Sequence, residues 1–159
     1  MIIQIILIII IGWIFFAIIL PFLILPNQLF KTDLQRTKQI KKLAEKLKAK
    51  TREQTLRNIY KYVTKTYEGK EKKYKLANYP RLFLYNVNNL IKKRQFIACH
   101  IQNHVTKTLL INTSQFKESD IKRNWTITKF LTIHQYLVVK IKKAKYKVDP
   151  FFRTFVRKT

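Results

Sequence analysis

HQYLVVKIKKAKYKVDP, residues 134–150, is the stretch whose reading decides the fold. Apolar and polar side chains alternate on both sides of Lys142 and Lys143, the pattern of two half-buried strands doubling back as a hairpin. If Ile141 lies opposite Ala144, Leu137 falls opposite Val148 and Tyr136 opposite Asp149. His134, Tyr136 and Asp149 then share one face, while Leu137, Val139, Tyr146 and Val148 share the other. A two-residue turn and a four-residue loop over Ile141 to Ala144 both give this register. Lys-Lys suits a two-residue primed turn poorly, which favours the longer loop. A slip of one residue would put Asp149 on the opposite face from His134.

The chain has 159 residues, with only three histidines and eight acidic side chains. One of each stands at the two ends of this hairpin. A histidine beside a carboxylate is commonly a surface ion pair of little energetic weight. Cys99 changes that reading. It stands where a helical pattern begins, CHIQNHVTKTLLIN, with Ile101, Val105, Thr108 and Leu109 on the buried side. A helix N-terminus and a nearby imidazolium both lower a thiol's pKa from about 8.5 towards neutrality. A histidine whose second nitrogen is held by a carboxylate can take and return the thiol proton. Cys99, His134 and Asp149 are therefore the expected catalytic residues, as nucleophile, general base and orienting carboxylate.

These three positions resemble the transglutaminase-like (papain-like) cysteine protease core. The likeness rests on a cysteine opening a helix, a histidine opening a strand in HQYLVV, and an aspartate in a Val-Asp-Pro phrase. NIYKYVTKTY corresponds to the helix before the nucleophile, and the resemblance covers roughly residues 52–152. It implies acyl transfer through a thioester on Cys99, cleaving peptide or isopeptide bonds in a protein or peptide substrate. Backbone N–H groups near Cys99 would hold the oxyanion, at about 3 kcal/mol per donor, with Gln95 as a further donor. Ala98 is small, but QFIAC does not repeat the family's glycine-containing phrase before the cysteine.

Along the chain, helices precede strands, an α+β order rather than alternating βαβ units. Apolar residues at Leu34, Ile40, Leu43, Ala44 and Leu47 predict a basic amphipathic helix, and Leu56, Ile59, Tyr60, Val63 and Tyr67 continue a helical stripe to Gly69 as its C-cap. GKEKKYKLANYPR reads as a charged loop, 87–93 as a short helix and FKESDIKRNW as a polar connection. TITKFLTIHQYLVVKI and KYKVDPFF read as strands.

Residues 1–30 carry no charged side chain, and Ile2 to Leu25 is long enough for a transmembrane helix, which needs roughly 20 apolar residues. All 33 lysines and arginines follow residue 30. The positive-inside rule then predicts a single-pass protein with its N-terminus outside and its C-terminal domain cytoplasmic. The expected organisation is an anchor at 1–27, a basic juxtamembrane helix at 28–51 and a transglutaminase-like domain at 52–159. Lys31 to Lys50 would contact anionic lipid.

The net charge of +25 draws anionic partners, and coding bias towards lysine, isoleucine and asparagine explains it equally well. A catalytically inactive module binding anionic lipid, RNA or a partner protein is the alternative function. Nucleic acid is the less favoured partner, because no nucleic-acid signature is present. One cysteine excludes an internal disulfide, and two glycines leave no phosphate-cradling loop. His100 and His104 stand at zinc-chelating spacing, but HIQNH lacks a metalloprotease glutamate. No metal or cofactor is expected.

Overall fold

The structure, a computed structural model, describes residues 2–15, 34, 36–69, 91, 95–128 and 133–158. Helix α1 (Ile2–Ile14) is exposed along its length. It is followed by α2 (Lys38–Leu47) and α3 (Arg52–Thr66). The two-residue strands β1 (Tyr67–Glu68) and β2 (Gln95–Phe96) pair in parallel. Helix α4 (Cys99–Asn112) leads through a 3₁₀ turn (Glu118–Asp120) into β3 (Ile121–Ile127), β4 (Ile133–Ile141), β5 (Ala144–Asp149) and β6 (Thr154–Lys158). These four form an antiparallel meander in chain order. Helices followed by an antiparallel sheet make this an α+β fold.

Local chemistry explains the helix starts. Thr37 and Thr51 each cap a helix, accepting from the N–H groups of Ile40 and Gln54 at 3.4 and 3.2 Å. The apolar stripe of α2 does not face outward: Ile40 and Ala44 are fully buried in the core, against α4. Helix α3 adds Leu56, Ile59 and Val63 to the same core.

Helix α4 runs through the middle and is buried on nearly every side. Ile101, Val105 and Leu109 pack as their spacing predicts, and Thr108 is buried beside them. Its polar side chains are buried too, and neighbouring carbonyls take up the amide nitrogens of Gln102 and Asn103. Gln102 Nε2 donates to the carbonyls of Glu68 and Ile97 at 3.0 and 3.1 Å, and Asn103 Nδ2 to that of Gln135 at 2.7 Å. These bonds tie the helix to β1 and β4.

The hairpin has the expected register, with Ile141 opposite Ala144 and Leu137 opposite Val148. Leu137, Val139, Tyr146 and Val148 are buried on the core face. Its connection is the two-residue turn, with Lys142 at φ 55°. That is a left-handed conformation, disfavoured for a residue with a Cβ by roughly 1–2 kcal/mol.

Several expectations are corrected. No helix among the described residues is long and apolar enough to cross a membrane. Among the described residues, α1 covers 13 residues, about 20 Å at 1.5 Å per residue against a hydrocarbon core of about 30 Å, and residues 16–33 lie outside them. The transmembrane helix in the expected fold class, the single-pass localisation and the membrane contact through residues 2–25 therefore lack their structural basis. The polar connection FKESDIKRNW is half strand: from Ile121 it pairs along β4. Gly69 is not a helix cap, since α3 ends at Thr66 and no described glycine has positive φ. Most of the charged loop and of the helix expected at 87–93 lies outside the described residues.

Candidate active site

Three segments distant in sequence converge at one end of the sheet: the start of α4, the start of β4 and the end of β5. Ala98 stands at the N-cap of α4 and makes no side-chain capping bond. The first N–H groups of the helix thus lack the oxygen that Ser, Thr or Asp would supply. Cys99 is the first helical residue and is partly exposed.

His134 is almost fully buried, and its Nε2 donates to Asp149 Oδ2 at 2.7 Å. Asp149 is 2% exposed. Its second oxygen, Oδ1, accepts from the N–H of Phe152 at 3.1 Å. That bond closes the turn after β5, where Asp-Pro initiates a reversal with the aspartate side chain as acceptor. One carboxylate therefore fixes both the imidazole and the loop beside it. Phe152 from this loop meets the His134 ring edge-on at 4.3 Å, and Phe151 lies 5.8 Å away.

With Nε2 committed to Asp149, Nδ1 is the nitrogen left to face Cys99. Cys99 lies within electrostatic reach of His134 and His100, and both act on its thiol. Burial pushes the thiol up, but the bonds and charges of the two histidines outweigh it and bring Cys99 down to about 6. His134 moves the opposite way. Burial pulls it down, while the bonds to Asp149 and Cys99 and their negative charges raise it to about 9. Between these values the favoured state is a thiolate beside an imidazolium, chemically a poised nucleophile and its proton donor.

The structure thus bonds His134 to Asp149 and sets Cys99 within electrostatic reach of the same imidazole. Sequence reasoning missed His100, which it weighed as a zinc ligand. His100 is 8% exposed, acts on the Cys99 thiol, and its Nε2 is buried without a hydrogen-bond partner among the described residues. The signal was its place directly after the nucleophile. Phe151 and Phe152 were also missed, although DPFF puts them next to Asp149. His104 belongs to the core: burial first, then the charges of Arg123, Lys107 and His100, lower it to about 3. The side chain of Gln95, expected as an oxyanion donor, lies outside the described residues.

Gly69 has a specific task here. A Cβ on it would lie 2.4 Å from the carbonyl oxygen of Phe151. Only glycine lets β1 pass this close to the loop that walls His134.

Comparison with known proteins follows this geometry. No protein-family model and no curated protein matches the chain. Among solved structures the fold is similar to LapG of Legionella pneumophila, a transglutaminase-like cysteine protease fold. The TM-score is 0.56 and the identity 11%, over 79% of this chain and 78% of that one. At that identity the likeness is one of fold, and it supports the resemblance read from the sequence as a distant, fold-level relationship.

Proposed function

We propose that this protein is a thiol acyl-transfer enzyme, a cysteine protease or amidase cleaving peptide or isopeptide bonds. The observation that carries the reading is the bond between His134 and Asp149, with Cys99 near enough to shift the titration of the same ring. The thiolate of Cys99 attacks the carbonyl carbon, forming a C–S bond and an oxyanion. Backbone N–H groups at the uncapped start of α4 stabilise that charge. His134 gives its proton to the leaving nitrogen as the C–N bond breaks, leaving a thioester. Neutral His134 then takes a proton from water, the hydroxide attacks the thioester, and the acid departs as the sulfur recovers its thiolate. Asp149 holds the imidazole in the orientation both transfers need.

The test is hydrolysis of a denatured protein substrate by the full chain, followed by mass spectrometry, alongside labelling with a peptidyl vinyl sulfone. Cleavage that Cys99→Ala abolishes, with an adduct on Cys99 that requires His134, is the expected result. Equal cleavage by Cys99→Ala, or a Cys99 that never forms the adduct, refutes it and leaves a binding module of the same fold.

A further inference from the structure

The sheet that carries His134 and Asp149 also carries an unusual distribution of charge. Strand alternation puts His134, Tyr136 and Lys140 on one face of β4, and the ladder continues that face across β5 and β6. Lys140 pairs with Lys145, and Lys145 pairs with Lys158. Three lysines thus stand directly opposite one another on three adjacent strands, all exposed. Like charges in such positions repel and destabilise a sheet, yet no carboxylate relieves them among the described residues. Five of those carboxylates are used elsewhere, Glu45 on Lys48, Glu53 on Arg57, Glu118 on Lys107, Asp120 on Arg52 and Asp149 on His134, and the sixth, Glu68, lies on β1 in the other sheet.

The row is continuous with the candidate site. Asp149 and Lys145 are four residues apart on one strand, about 14 Å at 3.4 Å per residue. Lys147 stands between them, its Nζ 4.5 Å from the centre of the Tyr136 ring.

We propose that the row of Lys140, Lys145 and Lys158 recognises an acidic segment of a peptide substrate, several residues from the bond cleaved at Cys99. The proposal rests on the acyl-transfer reading, which supplies a peptide, and adds its charge. Three point charges across one face, without a counterion among the described residues, call for carboxylates. Single-stranded nucleic acid is a poorer fit, because it stacks bases on open aromatic faces. Here Tyr136, the aromatic at the centre of the face, already carries Lys147 over its ring.

Binding is measured on the full-length Cys99→Ala chain, so that turnover plays no part. Fluorescein-labelled peptides carrying four consecutive glutamates or four glutamines are compared by anisotropy. The glutamate peptide is expected to bind at least about tenfold tighter, and to lose that advantage as salt shortens the Debye length from about 14 to about 6 Å. The K140E/K145E/K158E triple variant, with unchanged melting, should lose the preference. Single alanine variants should each weaken it by about two- to fivefold, which keeps the test open if the triple variant fails to fold. Equal binding of the two peptides, or oligouridylate binding tighter than the glutamate peptide, overturns the proposal. Neither result touches the vinyl sulfone adduct on Cys99, so the two readings fail separately.

Discussion

Replacing His134 with alanine should reshape the pH dependence of Cys99 reactivity in a way that one rate at one pH would hide. With Cys99 at about 6, roughly nine tenths of the sulfur is thiolate at pH 7. Without His134 the thiol loses part of that support but keeps the contribution of His100, so it rises towards its ordinary 9.0. At the limit of a full return, about 1% is thiolate at pH 7. The raw ratio of about 90 overstates the effect, because a more basic thiolate is a better nucleophile. A Brønsted slope of 0.4–0.5 over three units returns roughly 16- to 32-fold. The variant should therefore alkylate only about three- to sixfold more slowly at pH 7 and overtake the wild type by about pH 8. The midpoint is the decisive reading, because nucleophilicity does not move it. Iodoacetamide labelling of the folded chain, followed by intact mass from about pH 4.5 to 10, should give a midpoint near 6 for the wild type. The midpoint for His134→Ala should rise towards 9.0, with His100 still holding it below that value. A wild-type midpoint near 9, or a midpoint that His134→Ala leaves in place, refutes the coupling of sulfur and imidazole.

Asp149→Asn keeps the shape of the site but weakens the anchor on His134. Peptide hydrolysis should fall by about 10²–10⁴ in kcat with little change in KM, and the alkaline limb near 9 should move down, as a rate–pH profile will show. Gly69→Ala drives a methyl group into the Phe151 carbonyl and should cost about 1–3 kcal/mol in denaturant titrations. It should also slow Cys99 labelling, because the displaced loop walls His134. His104, at about 3 folded against 6.5 unfolded, leaves the unfolded chain holding the extra proton as pH falls. Stability should thus drop by about 3 kcal/mol between pH 7.5 and 4.5, and His104→Gln should remove that part of the slope.

The hairpin was legible because both of its faces constrain it. Leu137 and Val139 on one strand and Tyr146 and Val148 on the next must all reach the core, and one register satisfies them. That register set His134 and Asp149 on one face, and the helical spacing after Cys99 located the third residue. The polar half of α4 was not legible, since Gln102 and Asn103 are buried for the sake of carbonyls on β1 and β4, partners invisible to periodicity. Strand β3 escaped for the opposite reason. It lies at the sheet edge with only Ile121 buried, so IKRNWTI shows almost no alternation. The N-terminal segment was read from hydropathy, which reports apolar character but not the extent of a regular helix. Among the described residues that helix runs from Ile2 to Ile14, and most of the stretch read as the second half of the span lies outside them.

The turn after β5 explains why the candidate site tolerates so little change. Asp149 divides its two oxygens between the imidazole and the N–H of Phe152, so orienting His134 and shaping the loop are one act. Phe152 returns against the ring that Asp149 holds, and Gly69 supports the same loop from β1 by having no side chain. Substitutions in this loop should therefore never change stability alone. Whatever moves Phe151 or Phe152 also moves the carboxylate on which His134 depends, and through it the proton that Cys99 must give up. Across such variants, unfolding free energy and the alkylation midpoint of Cys99 should shift together, whereas Leu109→Ala on the far part of α4 should cost about 2–5 kcal/mol and leave the midpoint near 6. If the two quantities varied independently within the loop, the carboxylate would not be the link between them.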